Sequence, residues 1–252
     1  MPTTAKVTRF IFTRRAKNMF RNISANYMLS NEDLERSSIV ANNLMNRERV
    51  CTGKNSYTKD LNFNILDFLR SRLASGDRVS WLDLCCGRGR ALIEAAETLA
   101  NEASPDQLDI TGLDLISHFD PYADPLHFLK MVESSVFQWQ PDRTYDLITC
   151  VHGLHYLGDK LGAITNACSW LKPNGVFVAN LDLNNIKGTD GKPLTRTLLK
   201  RFRSAGLDWQ PTRHIIRSDA HRELNLGYRY LGADDKAGPN YTGQPAVDSY
   251  YA

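Results

Sequence analysis

Apolar residues recur at two periods along this chain, and the alternation between the periods predicts the architecture. Over 32–50, Leu34, Ile39, Val40, Leu44, Met45 and Val50 sit near helical spacing among charged neighbours. Over 58–73, Leu61, Ile65, Leu66, Phe68, Leu69 and Leu73 do the same, after the polar break Thr52-Gly53-Lys54-Asn55-Ser56 and before Ser75-Gly76-Asp77. From residue 78 the period switches repeatedly: strand 79–84, helix 90–101, strand 108–115, a Pro-rich loop with a short helix near 122–130, and a short strand near 131–137. Strand 145–151, helix 159–171, a turn at Lys172-Pro173-Asn174-Gly175, strand 176–182 and helix 193–204 follow. Two last strand-like runs, 213–218 and 224–231, have no long helix between them, so antiparallel pairing is expected. Such alternation predicts an α/β fold, a doubly wound, mostly parallel sheet with helices on both faces.

These patterns divide the chain into a basic extension (1–30), a helical cap (31–76), an α/β core (77–232) and a C-terminal tail (233–252). The tail runs from Gly238-Pro239-Asn240-Tyr241 to Tyr250-Tyr251; turn-rich and aromatic, it reads as either an ordered flap or a loose end.

The junction at 81–89, Trp-Leu-Asp-Leu-Cys-Cys-Gly-Arg-Gly, carries the most chemistry. A buried strand turns sharply into a helix bearing Ala91, Leu92, Ala95, Ala96 and Leu99, and glycines leave the backbone of the turn open to approach. Backbone N–H groups at a helix N-terminus favour a carboxylate or phosphate. Asp83, just before the turn, suits an ammonium group, so together they suit an amino acid.

The stretch resembles motif I, Asp/Glu-x-Gly-x-Gly-x-Gly, of the class I S-adenosylmethionine-dependent methyltransferases, with Asp83, Gly87 and Gly89 in place and Cys85 where the first glycine stands. The resemblance covers roughly residues 50–232 and implies a Rossmann-like seven-stranded sheet, the seventh strand antiparallel, with S-adenosyl-L-methionine as cofactor. Thr111-Gly112-Leu113-Asp114 is similar to the second motif, in which Asp114 holds the ribose hydroxyls. The third motif's polar residue beside adenine falls at Ser135 and Val136, next to Ser134, with Phe137 or Trp139 placed to flank the ring or to fill the core. Tyr145 to Cys150 and the turn Val151-His152-Gly153-Leu154-His155-Tyr156 resemble motif IV, which lines the sulfonium end. Cys150 and Tyr57 join Asp83, Cys85, Gly87, Gly89, Asp114, Ser135 and Val136 as expected cofactor contacts; Asn55, Ser56 and Tyr57 read equally as a helix start.

In an open α/β sheet, ligands bind beyond the carboxyl ends of the strands. There His155 and His152 suit proton removal near neutral pH or serve as packing residues. Asp182, closing the fifth strand, either steadies a positive charge or caps its loop. Arg47, Arg49 and Arg90 read as a substrate-carboxylate site or a charged helix face, and Asp33 is an alternative acid for a cationic amine.

Composition narrows the partners. A net charge of +3 over 252 residues argues against bulk nucleic-acid binding. Cys150-Val151-His152-Gly153 is not the Asp/Asn-Pro-Pro-aromatic box of base-amine methylases, and no Pro-Cys nucleophile occurs. Five cysteines without a C-x-x-C pair indicate a reduced, cytoplasmic protein with no metal site, and no apolar run nears the roughly 20 residues of a membrane span. Lys6, Arg9, Arg14, Arg15, Lys17 and Arg21 precede the first acid, Glu32; this start reads as a transit peptide, a basic arm or a poorly ordered terminus. Expected is methyl transfer to an N or O atom of a small molecule or modified peptide, possible in natural-product biosynthesis. The alternatives are a catalytically silent adenosylmethionine-binding protein and an NAD-dependent oxidoreductase. The latter's Gly-x-Gly-x-x-Gly would need its third glycine at Leu92.

Overall fold

The computed structural model describes residues 28–41, 48–76, 78–122 and 126–252. The basic start, Arg47, and part of the helix expected near 122–130 lie outside the described residues.

The cap is made of short helices. Ser30 caps α1 (Asn31–Glu35) by accepting from Asp33 N, and α2 (Ser38–Ala41) follows the turn at Arg36-Ser37, so no single helix starts at 32. Ser56 caps α3 (Tyr57–Leu61) and Asn64 caps α4 (Ile65–Leu73). The helix expected over 58–73 is split because Asn62 adopts a left-handed conformation (φ 48°) and ends α3, two residues before Asn64 starts α4.

The core elements follow in order: β1 (Val79–Leu84), α5 (Arg90–Leu99), β2 (Leu108–Asp114), β3 (Leu129–Glu133), β4 (Tyr145–Cys150), α6 (Lys160–Ser169), β5 (Leu171–Asn180). Then come β6 (Ile186–Gly188), α7 (Thr195–Ser204), β7 (Asp208–Gln210), β8 (Ile215–Ser218), β9 (Tyr230–Asp234) and β10 (Asp248–Tyr251). A seven-stranded sheet is ordered β3-β2-β1-β4-β5-β8-β7, parallel through β5, with β8 antiparallel to both its neighbours.

Alternation along β1 builds a core on each face. Leu82 and Leu84 pack with Ile148, Phe177 and the α6 residues Leu161, Ile164 and Cys168. Val79 and Trp81 pack with Ile110, Leu147 and the α5 residues Ala91, Leu92, Ala95 and Leu99. The sheet is therefore covered on both sides, as expected for a doubly wound fold.

Three local expectations are corrected. Lys172-Pro173-Asn174-Gly175 lies inside β5, where the register against β4 slips between Tyr145 (opposite Leu171) and Leu147 (opposite Val176); the bulge accommodates a proline that has no N–H for the ladder. The run 213–218 supplies β8, which pairs with β5 and with the short β7 rather than with 224–231. Residues 224–229 carry no strand; β9 starts at Tyr230 and joins β10 antiparallel, with β6 on the other side of β10, in a separate three-stranded sheet. The tail is thereby ordered against the core. Residues 126–130 are not helical, and Leu129 already pairs with Ile110.

Candidate cofactor cleft and active site

Strand order reverses between β1 and β4, and their carboxyl ends open a cleft of about 770 Å³, counting its mouth. Its floor is the turn after β1. Cys85 (φ 59°), Gly87 (φ 61°) and Gly89 (φ 76°) are all left-handed, and Gly89 caps α5. A non-glycine residue in that region is uncommon, and here tight packing fixes it. A Cβ on Gly153 would lie 2.4 Å from Cys85 Cβ and 2.8 Å from Cys150 Sγ, so the turn after β4 presses directly on the turn after β1.

Asp114 at the end of β2 lines the cleft and holds the turn: Oδ2 accepts from Gly87 N at 2.8 Å and Oδ1 from Ile116 N at 3.2 Å. Ser135, Val136 and Phe137 form the wall beyond it, facing Leu34, Glu35 and Val40 from the cap. Ser135 Oγ donates to Glu35 Oε1 at 2.5 Å and accepts from Phe137 N. Trp139 instead packs edge-on against Trp170 in the core.

Of the residues expected to touch cofactor, Cys85, Gly87, Asp114, Ser135 and Val136 do line the cleft. Asp83 does not. It is fully buried, and its oxygens accept from Thr149 Oγ1 at 2.5 Å and Tyr57 Oη at 2.7 Å. Burial pushes its carboxyl up to about 7, against those two hydrogen bonds, which lower it. Tyr57 likewise turns inward to Asp83 rather than over the cleft. Cys150 is buried behind Cys85, and Gly89 packs against Met131.

His152 lines the cleft in a left-handed conformation (φ 58°). Its Nε2 lies 3.2 Å from Asp60 Oδ2, its N–H donates to Asn180 Oδ1, and Nδ1 is buried with no partner among the described residues. Asp60 also accepts from Arg49 Nε. Burial raises Asp60, but the hydrogen bonds from His152 and Arg49 outweigh it and hold the carboxyl below its ordinary value. Arg49 is thus engaged in the cap, while Arg90 pairs with Asp120 beside Arg88, and Asp33 faces solvent near Arg36.

His155 sits behind His152, with ring centroids 5.6 Å apart and neither ring nitrogen bonded among the described residues. Burial, with His152, Lys160 and His214 adding repulsion, holds its pKa well below the ordinary value, so the imidazole is neutral. Asp182 acts as a loop cap: Oδ1 accepts from Asn184 N and Oδ2 from Tyr241 N, both at 2.9 Å. That second bond brings in the tail. Tyr241 stacks on His214 at 3.9 Å and 6°, with its ring 5.4 Å from His155 and 6.4 Å from His152.

Asp60, Glu35, His214 and Tyr241 had no motif to mark them; each arrives from an element remote in sequence. Asp60 left a trace as an acid on the same face as Tyr57 at helical spacing, and Tyr241 as part of the aromatic tail read as an ordered flap or a loose end.

A family model described as a methyltransferase domain matches residues 55–223. The chain belongs to that family. Its sheet order and glycine turn are those of a class I S-adenosylmethionine-dependent methyltransferase. No curated protein matches the chain. Among solved structures, the S-adenosylmethionine-bound amino pentose methyltransferase CalS10 from Micromonospora echinaspora, involved in calicheamicin biosynthesis, is similar. It is 24% identical over 51% of this chain and 51% of its own, with a TM-score of 0.36. The sugar N-methyltransferase KedS8 from a Streptoalloteichus species is 23% identical over 46% of each chain, with a TM-score of 0.34. The plantazolicin methyltransferase BpumL, in complex with a monoazolic desmethylPZN analog and SAH, is 18% identical over 63% of this chain and 55% of its own (TM-score 0.37). The chain spans about half the length of each of these.

The methyltransferase cleft fits S-adenosylmethionine on its own geometry. An apolar slot between Leu34, Val40, Val136 and Phe137 suits a flat base, Asp114 beside it suits two hydroxyls, and the open backbone of the Cys85–Gly87 turn suits the amino-acid end. Among the described residues, no group of three or more His, Cys, Asp or Glu is placed to hold a metal ion, and no helix is long and apolar enough to cross a membrane.

Proposed function

We propose that this methyltransferase transfers a methyl group to a neutral N or O atom of a small molecule or modified peptide, with His152 as the base that faces the acceptor. The observation that carries this reading is the Asp60–His152 pair at the edge of the cofactor cleft. With Nε2–H donated to Asp60, the neutral imidazole keeps its lone pair on Nδ1, the atom without a partner among the described residues. Nδ1 is then the atom that takes a proton from an acceptor N–H or O–H, and Asp60 steadies the charge on the ring that results.

Bound S-adenosylmethionine supplies a methyl group already activated on a sulfonium, so the protein contributes mainly positioning. Gly87 and Cys85 would hold the methionine end, Asp114 the ribose, and Ser135 with Val136 the adenine. His155, neutral behind His152, avoids placing a second positive charge beside it. Asp182 and His214 fix Tyr241 as a wall on the acceptor side.

Calorimetric titration with SAH, with NAD as control ligand, followed by a labelled-methyl screen of amine, hydroxyl and peptide acceptors, tests this reading. Micromolar SAH binding with label incorporated, and turnover lost in Asp60→Asn at unchanged SAH affinity, is expected. SAH binding without any transfer makes the chain a silent binder, and NAD binding overturns the cofactor assignment.

A further inference from the structure

Asn180 closes β5, and its place follows from register: Ala179 pairs with Cys150 across β5 and β4, so the next residue stands beside the turn that carries His152. Its buried carboxamide joins three elements remote in sequence. Oδ1 accepts from His152 N at 3.3 Å, and Nδ2 donates to Asp60 O at 3.1 Å. That carbonyl is among those at the end of α3 that a helix leaves without an intrahelical partner. Tyr241, from the tail, hydrogen-bonds the same side chain. A backbone N–H only donates and a carbonyl only accepts, so the two neighbours fix which way the amide points.

His152 needs such a tether. Its left-handed backbone (φ 58°) persists in a residue with a Cβ only where the surroundings impose it, and the bond to Asn180 is made by the N–H of that very residue. Asp60 comes from the cap, so the two partners that meet at 3.2 Å share no element, and one carboxamide grips the backbone of both.

We propose that Asn180 is the positioning residue of the Asp60–His152 pair, holding both backbones at the spacing that lets Nε2–H reach Asp60 and leaves Nδ1 turned to the acceptor. At 1% exposure it acts through those two residues rather than on the acceptor itself. The proposal rests on the reading of that pair given above.

Asn180→Leu, close in size, removes the acceptor and the donors together. Long-range proton–nitrogen correlation spectra of the SAH-bound protein, with the His152 signals assigned by their loss in His152→Gln, read the tautomer of the ring directly. Wild type is expected to carry the neutral His152 proton on Nε2 alone, and Asn180→Leu to show a mixture of tautomers because Asp60 no longer meets the ring. With an acceptor from the labelled-methyl screen, kcat should fall about ten- to a hundred-fold, the scale of a misplaced reacting group, while SAH affinity changes far less. A single Nε2–H tautomer and full kcat in a variant that melts cooperatively overturn the proposal and leave Asn180 a strand-end tether. Asn180→Ala, which removes the same bonds without added bulk, decides by the same spectra should Asn180→Leu not melt cooperatively. Wild type protonated on Nδ1, or full turnover in Asp60→Asn, overturns the pair itself; loss in Asp60→Asn without loss in the Asn180 variants overturns this proposal alone.

Discussion

The Tyr57 hydroxyl donates to Asp83 Oδ2 at 2.7 Å, and through this contact the cap helix α3 is tied to the end of β1, beneath the glycine turn. The bond belongs to a buried chain in which Trp81 Nε1 donates to Thr149 Oγ1 and Thr149 donates to Asp83 Oδ1. Burial raises the Asp83 carboxyl from 3.8 to about 7, so the folded state holds its proton more tightly than the unfolded chain does. The contribution is fully present below pH 3.8 and is lost as pH rises through about 7. Wild type should therefore lose stability between pH 4 and 8 relative to Asp83→Asn, by on the order of a few kcal/mol, since each tenfold difference in proton affinity is worth about 1.4 kcal/mol. Urea melts of both proteins across that range give the difference, and parallel curves would contradict the assignment.

Packing of the two turns makes a second prediction. A Cβ on Gly153 would meet Cys85 Cβ at 2.4 Å and the Cys85 and Cys150 sulfurs at 2.9 and 2.8 Å. Gly153→Ala should destabilise the protein by about 1–3 kcal/mol and weaken SAH binding, because the cofactor turn itself must shift. Adding Cys85→Gly removes the nearest clash and suits the left-handed backbone at φ 59°, so the double variant should recover much of the SAH affinity. Titrations that find the two effects additive would mean the turns do not press on each other.

Short apolar strand runs and helical runs made the alternating core legible because each strand and helix signals its own burial, as in Val79–Leu84, buried at every position, and in Ala91 to Leu99. The acid before the turn was legible too, but not its partner: which side chain fills the space above Asp83 depends on α3 packing 26 residues away. Asn62 and Asn64 carried a capping signal strong enough to break the 58–73 helix, and the apolar spacing across them masked it. β7, at three residues, is too short to show a period, so 224–231 stood in for it. Tyr241 and Glu35 reach the site from the tail and the cap, and no local pattern encodes such a meeting.

Asp114 carries two tasks in one carboxylate, holding Gly87 N and Ile116 N while lining the cleft. Asp114→Ala removes the turn's anchor and the group proposed for the ribose, and should weaken SAH binding by about 1–3 kcal/mol, roughly ten- to a hundred-fold. Asp114→Asn keeps an acceptor for Gly87 N and should lose less. Calorimetry that finds both variants equal to wild type would remove Asp114 from the cofactor site.

Lys160 latches the tail to the motif that bears the histidines. Its Nζ, fully buried, donates to Leu157 O, Val247 O and Ser249 Oγ, each at 2.8 Å, and Val247 N donates to His155 O at 2.9 Å. Burial lowers its pKa from 10.5 to about 7, against the attraction of Asp248, Asp159 and Asp182. The folded state thus binds its proton less tightly than the unfolded chain, and this penalty fades as pH rises from 7 towards 10.5. Lys160→Met fills the same space but leaves two buried carbonyls without a donor, at about 1–3 kcal/mol each. Hydrogen exchange should accelerate over 245–251 in that variant while β1 and β2 keep their protection, because the three-stranded tail sheet shares no strand with the core sheet. Tyr241 would lose its footing with the tail, so methyl transfer should fall further than SAH affinity; unchanged exchange over 245–251 would show that the tail is held by other contacts.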